Sequence, residues 1–228
     1  MKLHCRGLTL DLGPRPLIIA PVRFRDVREA LSQARQYAAL GADIVELHAD
    51  LATSPVGEFL TEWQAALPVC IATPRHDVAH EALAAGAHLL NGLGILPNPD
   101  CVTLCLRSGA AWLVSTRSQG KSADSCGTLS LALADGAAMP GNSLAIDSGI
   151  DLASVENPIL SSVLKSYGRL GVPVLADADS GPMEQARAVA GIVHGMLHGI
   201  RLFRTRNVRE AALTVRTIAA LEQNPQAD

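Results

Sequence analysis

The sequence predicts a single α/β domain folded as a (β/α)8 TIM barrel. Short runs rich in aliphatic and β-branched residues alternate along the chain with longer, alanine-rich segments of helical period. Eight such runs are each followed by a helical segment, a pattern typical of a parallel sheet. A chain of 228 residues lies near the lower size limit of the barrel fold. A doubly wound open sheet is the alternative that this alternation also allows.

Each predicted strand is an apolar run that ends next to a polar residue or a turn. The eight strands are predicted at Leu17–Val22, Ile44–Leu47, Val69–Ala72, Leu89–Leu90, Ala111–Val114, Leu144–Ile146, Val172–Ala176 and Leu202–Phe203. No linker or low-complexity segment interrupts the series, so residues 1–222 are expected to form one domain followed by a short tail, 223–228.

The helices are predicted from apolar residues that recur on one face and from glycines placed where a helix should end. They are expected at Asp26–Leu40, Gly57–Ala66, Val78–Ala85, Pro99–Ser108, Thr128–Ala134, Pro158–Leu170, Met183–Met196 and Val208–Glu222. Gly41, Gly86 and Gly171 follow three of these segments, as C-terminal helix caps commonly do.

Composition and charge exclude several classes of protein. Hydrophobic residues make up 48% of the chain and charged residues 18%, so a large core can be buried and extensive disorder is excluded. The net charge of −3 gives no basic footprint for nucleic acid or for an anionic membrane. No apolar run is long enough to cross a bilayer, and the first residues lack the apolar stretch of a secretory signal. We therefore expect a soluble, cytoplasmic protein.

The five cysteines give only weak signals for disulfides or metals. Their number is odd and they are scattered, so a disulfide framework is not expected. Cys101 and Cys105 are four residues apart and could share a helical turn, but no second pair at zinc-ligand spacing accompanies them. His76 and His80 have the same spacing, with His76 expected to precede the helix, and no third ligand is identifiable. We expect no metal site.

The functional residues of a TIM barrel lie at the carboxyl ends of its strands. Asn91, Asp147 and Arg204 follow predicted strands at points where an apolar residue would be unremarkable. An amide, a carboxylate and a guanidinium that converge in one cavity suit a flat heterocycle with several hydrogen-bond donors and acceptors. Thr73, Asp50, Asp177 and Arg206 occupy comparable positions, and the arginines would favour an anionic substituent.

Each of these residues also has an ordinary structural interpretation. Asp147 begins Asp-Ser-Gly and Asn91 begins Asn-Gly, and both are common turn sequences. Arg204 and Arg206 could lie on a solvated loop with Asp177 or an adjacent aspartate as a surface partner. The functional interpretation therefore depends on the barrel bringing these side chains together.

Several segments, in order along the chain, resemble those of dihydropteroate synthases. GADIVEL at Gly41–Leu47 is similar to the family's GADIIDIG, and PVCIATPRHDVAHEALAAGAHLLNG at Pro68–Gly92 is similar to PISIDT…VAEAALEAGADIIND. LAIDSG at Leu144–Gly149 resembles the family's strand that ends in DPG. YGRLGVPVLA at Tyr167–Ala176 and LFRTRNVREA at Leu202–Ala211 resemble LGYPVLVG and IVRVHDVxEA. The resemblance implies a pterin-binding TIM barrel.

Residue by residue, the resemblance carries over only part of the family's binding site. Asn91, Asp147 and Arg204 match the asparagine, the later aspartate and the arginine of the family's pterin and anion sites. Ala72 stands where an aspartate is usual, and Arg206 stands where the family has a histidine. The family's lysine motif is replaced by ADADSG at Ala176–Gly181, its first long loop is absent, and its second loop has become DLATSPVG.

Three functional hypotheses follow. The first is a barrel that binds a pterin or a tetrahydrofolate. Its activity, if it is an enzyme, is that of a transferase in folate or one-carbon metabolism. The residues expected to form its site are Asn91, Asp147, Arg204, Arg206, Thr73, Asp50 and Asp177. The second is a non-catalytic barrel that serves as a binding module or subunit in pterin-linked methyl transfer, since the corrinoid-linked methyltransferases related to the family also use an Asn/Asp pair. The third is a Schiff-base enzyme resembling type I dehydroquinate dehydratases, suggested by VELHAD at Val45–Asp50, although no lysine ends a predicted strand. The resemblance also implies a homodimer formed through the last helices, although the apolar face of Val208–Leu221 could equally well cover the barrel.

Overall fold

Eight parallel strands close into a barrel, as the sequence predicted. The computed structural model describes residues 1–50, 55–63, 67–95, 98–115, 137–154, 164–167, 169–179 and 185–223. The barrel strands are β3 (Leu17–Arg23), β4 (Ile44–His48), β5 (Val69–Ala72), β6 (Leu89–Asn91), β7 (Ala111–Ser115), β8 (Leu144–Asp151), β9 (Val174–Asp177) and β10 (Leu202–Arg204). Each pairs with its neighbour in sequence, and β10 closes the ring against β3. The open-sheet alternative is therefore wrong.

The outer ring contains helices that follow the strands at the predicted places. They are α1 (Val27–Leu40), α2 (Val56–Glu62), α3 (His76–Ala84), α4 (Asn98–Ser108), α5 (Gln185–Leu197) and α6 (Val208–Gln223). Asp26 caps α1 by accepting from the Glu29 backbone N–H, and Gly41 ends it at φ 103°. His76 is the first residue of α3, so the prediction that it precedes the helix is wrong.

Several predicted features fall wholly or partly outside the described residues, among them the last three residues of the helix expected at 57–66 and the first two of the helix expected at 183–196. The helix expected at 128–134 lies outside them, and so does the tail from 224 onward. Of the helix expected at 158–170, the structure describes residues 164–167, which are helical, and 169–170, which are not.

An N-terminal β-hairpin that the sequence did not predict closes one end of the barrel. Its strands β1 (Lys2–Cys5) and β2 (Leu8–Asp11) pair antiparallel. Leu3, Cys5 and Leu12 are buried among the inward-facing aliphatic side chains of the barrel strands. This hairpin covers the amino-terminal ends of the strands, so their carboxyl ends form the open mouth.

The core consists of two layers separated by the barrel wall. Side chains that alternate along each strand face either the barrel interior or the helices outside. Ile19, Ile44, Leu89 and Leu175 belong to the inner cluster, which contains thirteen buried residues, whereas the larger outer cluster packs between strands and helices. The inner cluster is small because the mouth half of the barrel interior is lined by polar side chains.

Glycines in α5 allow this helix to approach the segment after β8 closely. A Cβ at Gly191 would lie 2.8 Å from both the Cβ and the carbonyl oxygen of Leu152. We expect Gly191→Ala to lower the free energy of unfolding by about 1 kcal/mol or more, because the steric cost exceeds the gain in helix propensity. Urea denaturation measures this difference. Gly141→Ala, where nothing lies within 4 Å of the added Cβ, should shift stability by less than about 0.5 kcal/mol, and equal effects would contradict the packing argument.

Candidate functional site

Five inward-facing polar side chains form a ring around the barrel interior near its mouth. Each lies two residues after an inward-facing apolar residue of the same strand, so both share one face of that strand. They are Glu46 after Ile44, Asn91 after Leu89, Asp147 after Ala145, Asp177 after Leu175 and Arg204 after Leu202. The predicted convergence of Asn91, Asp147 and Arg204 in one place is therefore present in the fold.

Glu46, which our sequence reasoning missed, joins Asn91 and Arg204 within this ring. Its side chain is fully buried. Its carboxylate accepts hydrogen bonds from Nδ2 of Asn91 at 3.2 Å and from Nη1 of Arg204 at 3.3 Å. A charged residue within the apolar run IVELH, on the same strand face as Ile44, is the signal that could have identified it.

Arg204 is held by three carboxylates. Its Nε donates to Asp177 at 2.6 Å, and Nη2 donates to the other oxygen of Asp177 at 3.2 Å. Its Nη1 donates to Asp147 at 3.1 Å and to both oxygens of Glu46. The side chain is only 9% exposed. The surface-loop interpretation of Arg204 is therefore wrong, because this guanidinium belongs to the barrel interior.

Asn91 and Asp147 form a hydrogen-bonded pair beside Arg204. Nδ2 of Asn91 donates to Oδ2 of Asp147 at 3.0 Å, and Oδ1 of Asn91 accepts from the Leu93 backbone N–H. Oδ1 of Asp147 accepts from the Gly149 backbone N–H at 3.1 Å, which is the turn contact that the sequence suggested. Asp147 therefore takes part both in a turn and in the polar ring, and Asn91 lies behind it, away from solvent.

Electrostatics keep the buried Glu46 ionised. Burial alone would raise its pKa, but the Arg204 charge, the His48 hydrogen bond and the Asn91 amide together lower the pKa from 4.5 to about 2. Burial works against the charge of Arg204 as well, but Glu46, Asp147 and Asp177 raise the pKa of its guanidinium well above the usual value. Among the residues that the structure describes, three carboxylates surround the Arg204 guanidinium, so the inner site is rich in hydrogen-bond acceptors.

The lowered pKa of Glu46 predicts a specific loss of stability in acid. A folded-state pKa below the unfolded value contributes stability that is present above about pH 4.5 and is lost as the pH falls toward 2. We expect wild type to lose about 2 kcal/mol more stability than Glu46→Gln between pH 5 and pH 3. Urea unfolding at pH 5 and pH 3 measures the difference, with Asp11→Asn in the distant hairpin as a control that should follow wild type. Parallel losses in wild type and Glu46→Gln would contradict the assignment.

An open cavity of about 540 Å³ lies above the polar ring. Its lining residues include Asp147, Asp177 and Arg204, together with His48 and Ser115. Three of the seven predicted site residues therefore line one cavity at the barrel mouth. Its walls are rich in carboxylates, which accept hydrogen bonds from a ligand's N–H groups.

A second cavity of about 650 Å³ adjoins the first and carries the basic residues of the mouth. It is lined by the exposed Arg23, Arg25 and Arg206, and also by Asp50. The Nε of Arg206 donates to Asp179 at 2.6 Å, so the surface pairing considered for this arginine is present. The predicted residues Asp50 and Arg206 therefore belong to this second compartment.

Thr73 has a structural position rather than a place in either cavity lining. Its buried hydroxyl donates to the Ala49 carbonyl at 2.6 Å and accepts from the Arg75 backbone N–H. These bonds tie the loop after β5 to the end of β4. Thr73 therefore supports the mouth from behind.

Metal and lysine chemistry find no support among the residues that the structure describes. In these ranges no three His, Cys, Asp or Glu side chains are grouped to hold a metal ion. Cys5, Cys70, Cys101 and Cys105 are buried free thiols. Of the three lysines, Lys2 belongs to the hairpin and Lys165 is exposed, while Lys121 lies outside the described residues. No helix in the described part of the chain is long and apolar enough to cross a membrane.

Comparison with solved structures shows that the chain has the fold of dihydropteroate synthases. It is 25% identical to the Thermus thermophilus enzyme in complex with 6HMPPP, with 97% of this chain and 100% of that chain covered at a TM-score of 0.75. It is 23% identical to the Xanthomonas albilineans enzyme with 4-aminobenzoic acid, with 100% of this chain and 99% of that chain covered at a TM-score of 0.75. It is 18% identical to the Coxiella burnetii enzyme with pteroic acid, with 99% of this chain and 100% of that chain covered at a TM-score of 0.80. No protein-family model and no curated protein matches the chain. The resemblance read from the sequence motifs is confirmed at the level of the fold.

Proposed function

We propose that this barrel binds a pterin or a tetrahydrofolate-like heterocycle at its mouth. The observation that carries the proposal is the Asp147 carboxylate, which lines the 540 Å³ cavity and is held in place by Asn91 and the Gly149 backbone. An aminopyrimidinone edge presents adjacent N–H donors, and a fixed carboxylate is a complementary acceptor. The dihydropteroate synthase fold supports the same ligand class, because solved relatives of that fold hold pterin compounds.

An anionic substituent on the ligand is expected in the second compartment rather than at Arg204. Arg204 already donates to Glu46, Asp147 and Asp177, and an added anion would face those carboxylates. Arg23, Arg25 and Arg206 are exposed in the adjoining cavity, where a phosphate or carboxylate group can approach them. The proposed ligand therefore spans both cavities, with its ring in the acidic one.

A transferase activity and a purely binding role are separated by one experiment. The protein is incubated with 6-hydroxymethyl-7,8-dihydropterin pyrophosphate and 4-aminobenzoate, and release of pyrophosphate is measured. Release that depends on both compounds supports a transferase of folate metabolism. Binding of the pterin without release supports the alternative of a binding module in pterin-linked methyl transfer. Ala72 at the aspartate position and the replacement of the family's lysine motif by ADADSG at Ala176–Gly181 favour this alternative, because neither would help pyrophosphate to depart.

A homodimer through the last two helices is proposed as the oligomeric state. The apolar face of α6 is buried within the chain, and it includes Val208, Ala211 and Val215. This face therefore packs against the barrel and not against a partner. Leu197, Leu213 and Leu221 of α5 and α6 remain exposed by 56–74%. We expect the Leu213→Glu/Leu221→Glu double variant to be a monomer by light scattering while wild type is a dimer. A wild-type monomer, or a variant that stays dimeric, would contradict the proposal.

The free thiols also support the cytoplasm as the location of the protein. Cys5, Cys70, Cys101 and Cys105 are buried without disulfide bonds, as in proteins of reducing compartments. This proposal concerns only the described cysteines.

A further inference from the structure

The buried Glu46 has a partner that the proposed binding mode does not use. Nε2 of His48 lies 2.8 Å from Oε2 of Glu46, two residues along the same strand face. The imidazole is 31% exposed, whereas the carboxylate is fully buried. A charged group at the centre of the barrel is thus connected directly to a titratable ring at the surface of the site.

The pairing fixes which nitrogen of the neutral ring carries the proton. An ionised carboxylate only accepts hydrogen bonds, so Nε2 of His48 must be the donor. The second nitrogen, Nδ1, makes no hydrogen bond to any part of the chain that the structure describes. A neutral His48 therefore presents an Nδ1 lone pair, with the ring orientation set by Glu46. Carboxylate–imidazole pairs of this kind orient general bases in many enzymes.

His48 also occupies the boundary between the two compartments of the mouth. Pro21, His48 and Asp179 line both cavities. Pro21 has no titratable group, and Asp179 accepts hydrogen bonds from the backbone N–H and Nε of Arg206. Among these three shared residues, His48 is the one placed to exchange a proton with a ligand that spans both compartments.

The groups around His48 shift the pKa of its ring in opposite directions. Burial lowers the pKa of the ring, but the hydrogen bond and charge of Glu46 outweigh it and raise the pKa above its usual value. Asp50, on the loop after β4, raises the pKa further, and Arg204 of β10 lowers it. Arg23 is the register partner of His48 on β3, and the partner on β5 is the uncharged Ala72. Asp147, Asp151, Asp177 and Asp179 share its cavity.

We propose that His48 is the general acid–base residue of this site, with Glu46 as its positioning residue. In the base direction an N–H or O–H bond of the bound substrate breaks, its electron pair stays on the substrate heteroatom, and the proton moves to Nδ1 of His48. The resulting imidazolium is stabilised by the ionised Glu46. In the acid direction the same proton returns from Nδ1 to a substrate atom. This inference rests on the proposed function, because it requires a substrate bound at the mouth of the barrel.

The first test needs no ligand. Nitrogen chemical shifts of the full chain labelled in histidine report the tautomer and the pKa of each ring. In wild type we expect the neutral His48 ring to be protonated on Nε2, and we expect Glu46→Gln to lower the His48 pKa. A neutral ring protonated on Nδ1, or a His48 pKa unchanged in Glu46→Gln, overturns the pairing.

The second test measures proton exchange on binding. Calorimetry with 6-hydroxymethyl-7,8-dihydropterin is carried out at the pH of half-protonation of His48, in two buffers with different ionisation enthalpies. Wild type should exchange a substantial fraction of one proton per ligand bound. His48→Gln, whose amide can still donate to Glu46, should bind the ligand and exchange almost none. His80→Gln, on the outer face of α3, serves as the control and should behave as wild type.

The outcomes separate this inference from the proposed function. Binding without proton exchange, or exchange that persists in His48→Gln, overturns the role of His48 and leaves pterin binding intact. Absence of binding in wild type overturns the proposed function and the acid–base role with it, while the chemical shifts still establish whether the pair exists. Proton exchange that is lost only in His48→Gln supports both.

Discussion

Asp147→Asn is expected to weaken binding of a reduced pterin by about 100-fold. The substitution keeps the size of the side chain but replaces a charged acceptor by a neutral amide. Asp147 already accepts hydrogen bonds from Asn91, Arg204 and Gly149, so we count one further bond from a ligand N–H group. Such a bond to a carboxylate contributes about 1.5–3 kcal/mol, and every 1.4 kcal/mol is a tenfold change in Kd. The amide of the variant also turns its NH2 group toward one of these donors or toward the ligand, so a factor of about 100 is the expected net loss. Asp147→Ala, which removes both acceptors, should abolish measurable binding.

Calorimetric titration of both variants with 6-hydroxymethyl-7,8-dihydropterin measures this loss. The barrel itself should persist, because Asp147 contributes to the ring at its mouth and not to the aliphatic layer. Urea denaturation beside each titration checks this. Asp11→Asn, in the hairpin at the opposite end of the barrel, removes the same charge and should bind as wild type does. If Asp147→Ala bound the ligand with unchanged affinity, Asp147 would not belong to the binding site.

Arg204→Met is expected to cause the largest loss of stability among the polar substitutions. It removes a guanidinium that donates to Glu46, Asp147 and Asp177, and leaves these carboxylates near one another inside the barrel. Removing one partner of a buried ion pair costs about 3–5 kcal/mol. We therefore expect a decrease of at least that size in the free energy of unfolding at neutral pH.

The pH dependence of this variant should be weaker than that of wild type. Without Arg204, burial of Glu46 is opposed only by His48 and Asn91, so the folded-state pKa of Glu46 should lie above its wild-type value and less stability should be lost as the pH falls. Urea unfolding at pH 4 and pH 7.5 should therefore show a smaller deficit relative to wild type at pH 4. Arg206→Met removes an arginine whose side chain is 64% exposed, and its cost should stay below about 1 kcal/mol. Equal deficits for the two variants would contradict the buried network.

The fold was predictable because its signals are local. The short apolar runs rich in β-branched residues, with segments of helical period between them, place all eight barrel strands, and Gly41 ends α1 as predicted. Several strands extend one residue past their apolar run, to Asn91, Asp177 and Arg204 for example. These polar residues still pair in the sheet, although a pattern of apolar residues cannot identify them as parts of strands.

Features that depend on distant parts of the chain were less predictable. The N-terminal hairpin is short, and its burial depends on strands far along the chain, so residues 2–11 carried no recognisable pattern. Glu46 was missed because a charged residue inside an apolar strand is informative only once the barrel brings Arg204 next to it, 158 positions later. For the same reason, the sequence could not distinguish a loop position from an interior one for Arg204. The sequence therefore predicted that Asn91, Asp147 and Arg204 lie close together, but it did not predict the role of Glu46 in joining them.

The most direct test of the proposed function is a calorimetric titration of the full chain with three ligands. These are 6-hydroxymethyl-7,8-dihydropterin, its pyrophosphate and methyltetrahydrofolate. We predict saturable binding of at least one of them, with one ligand per chain, and its loss in Asp147→Ala. No saturable binding of any of the three, by a protein that unfolds cooperatively in urea, would contradict a pterin site at the mouth of this barrel.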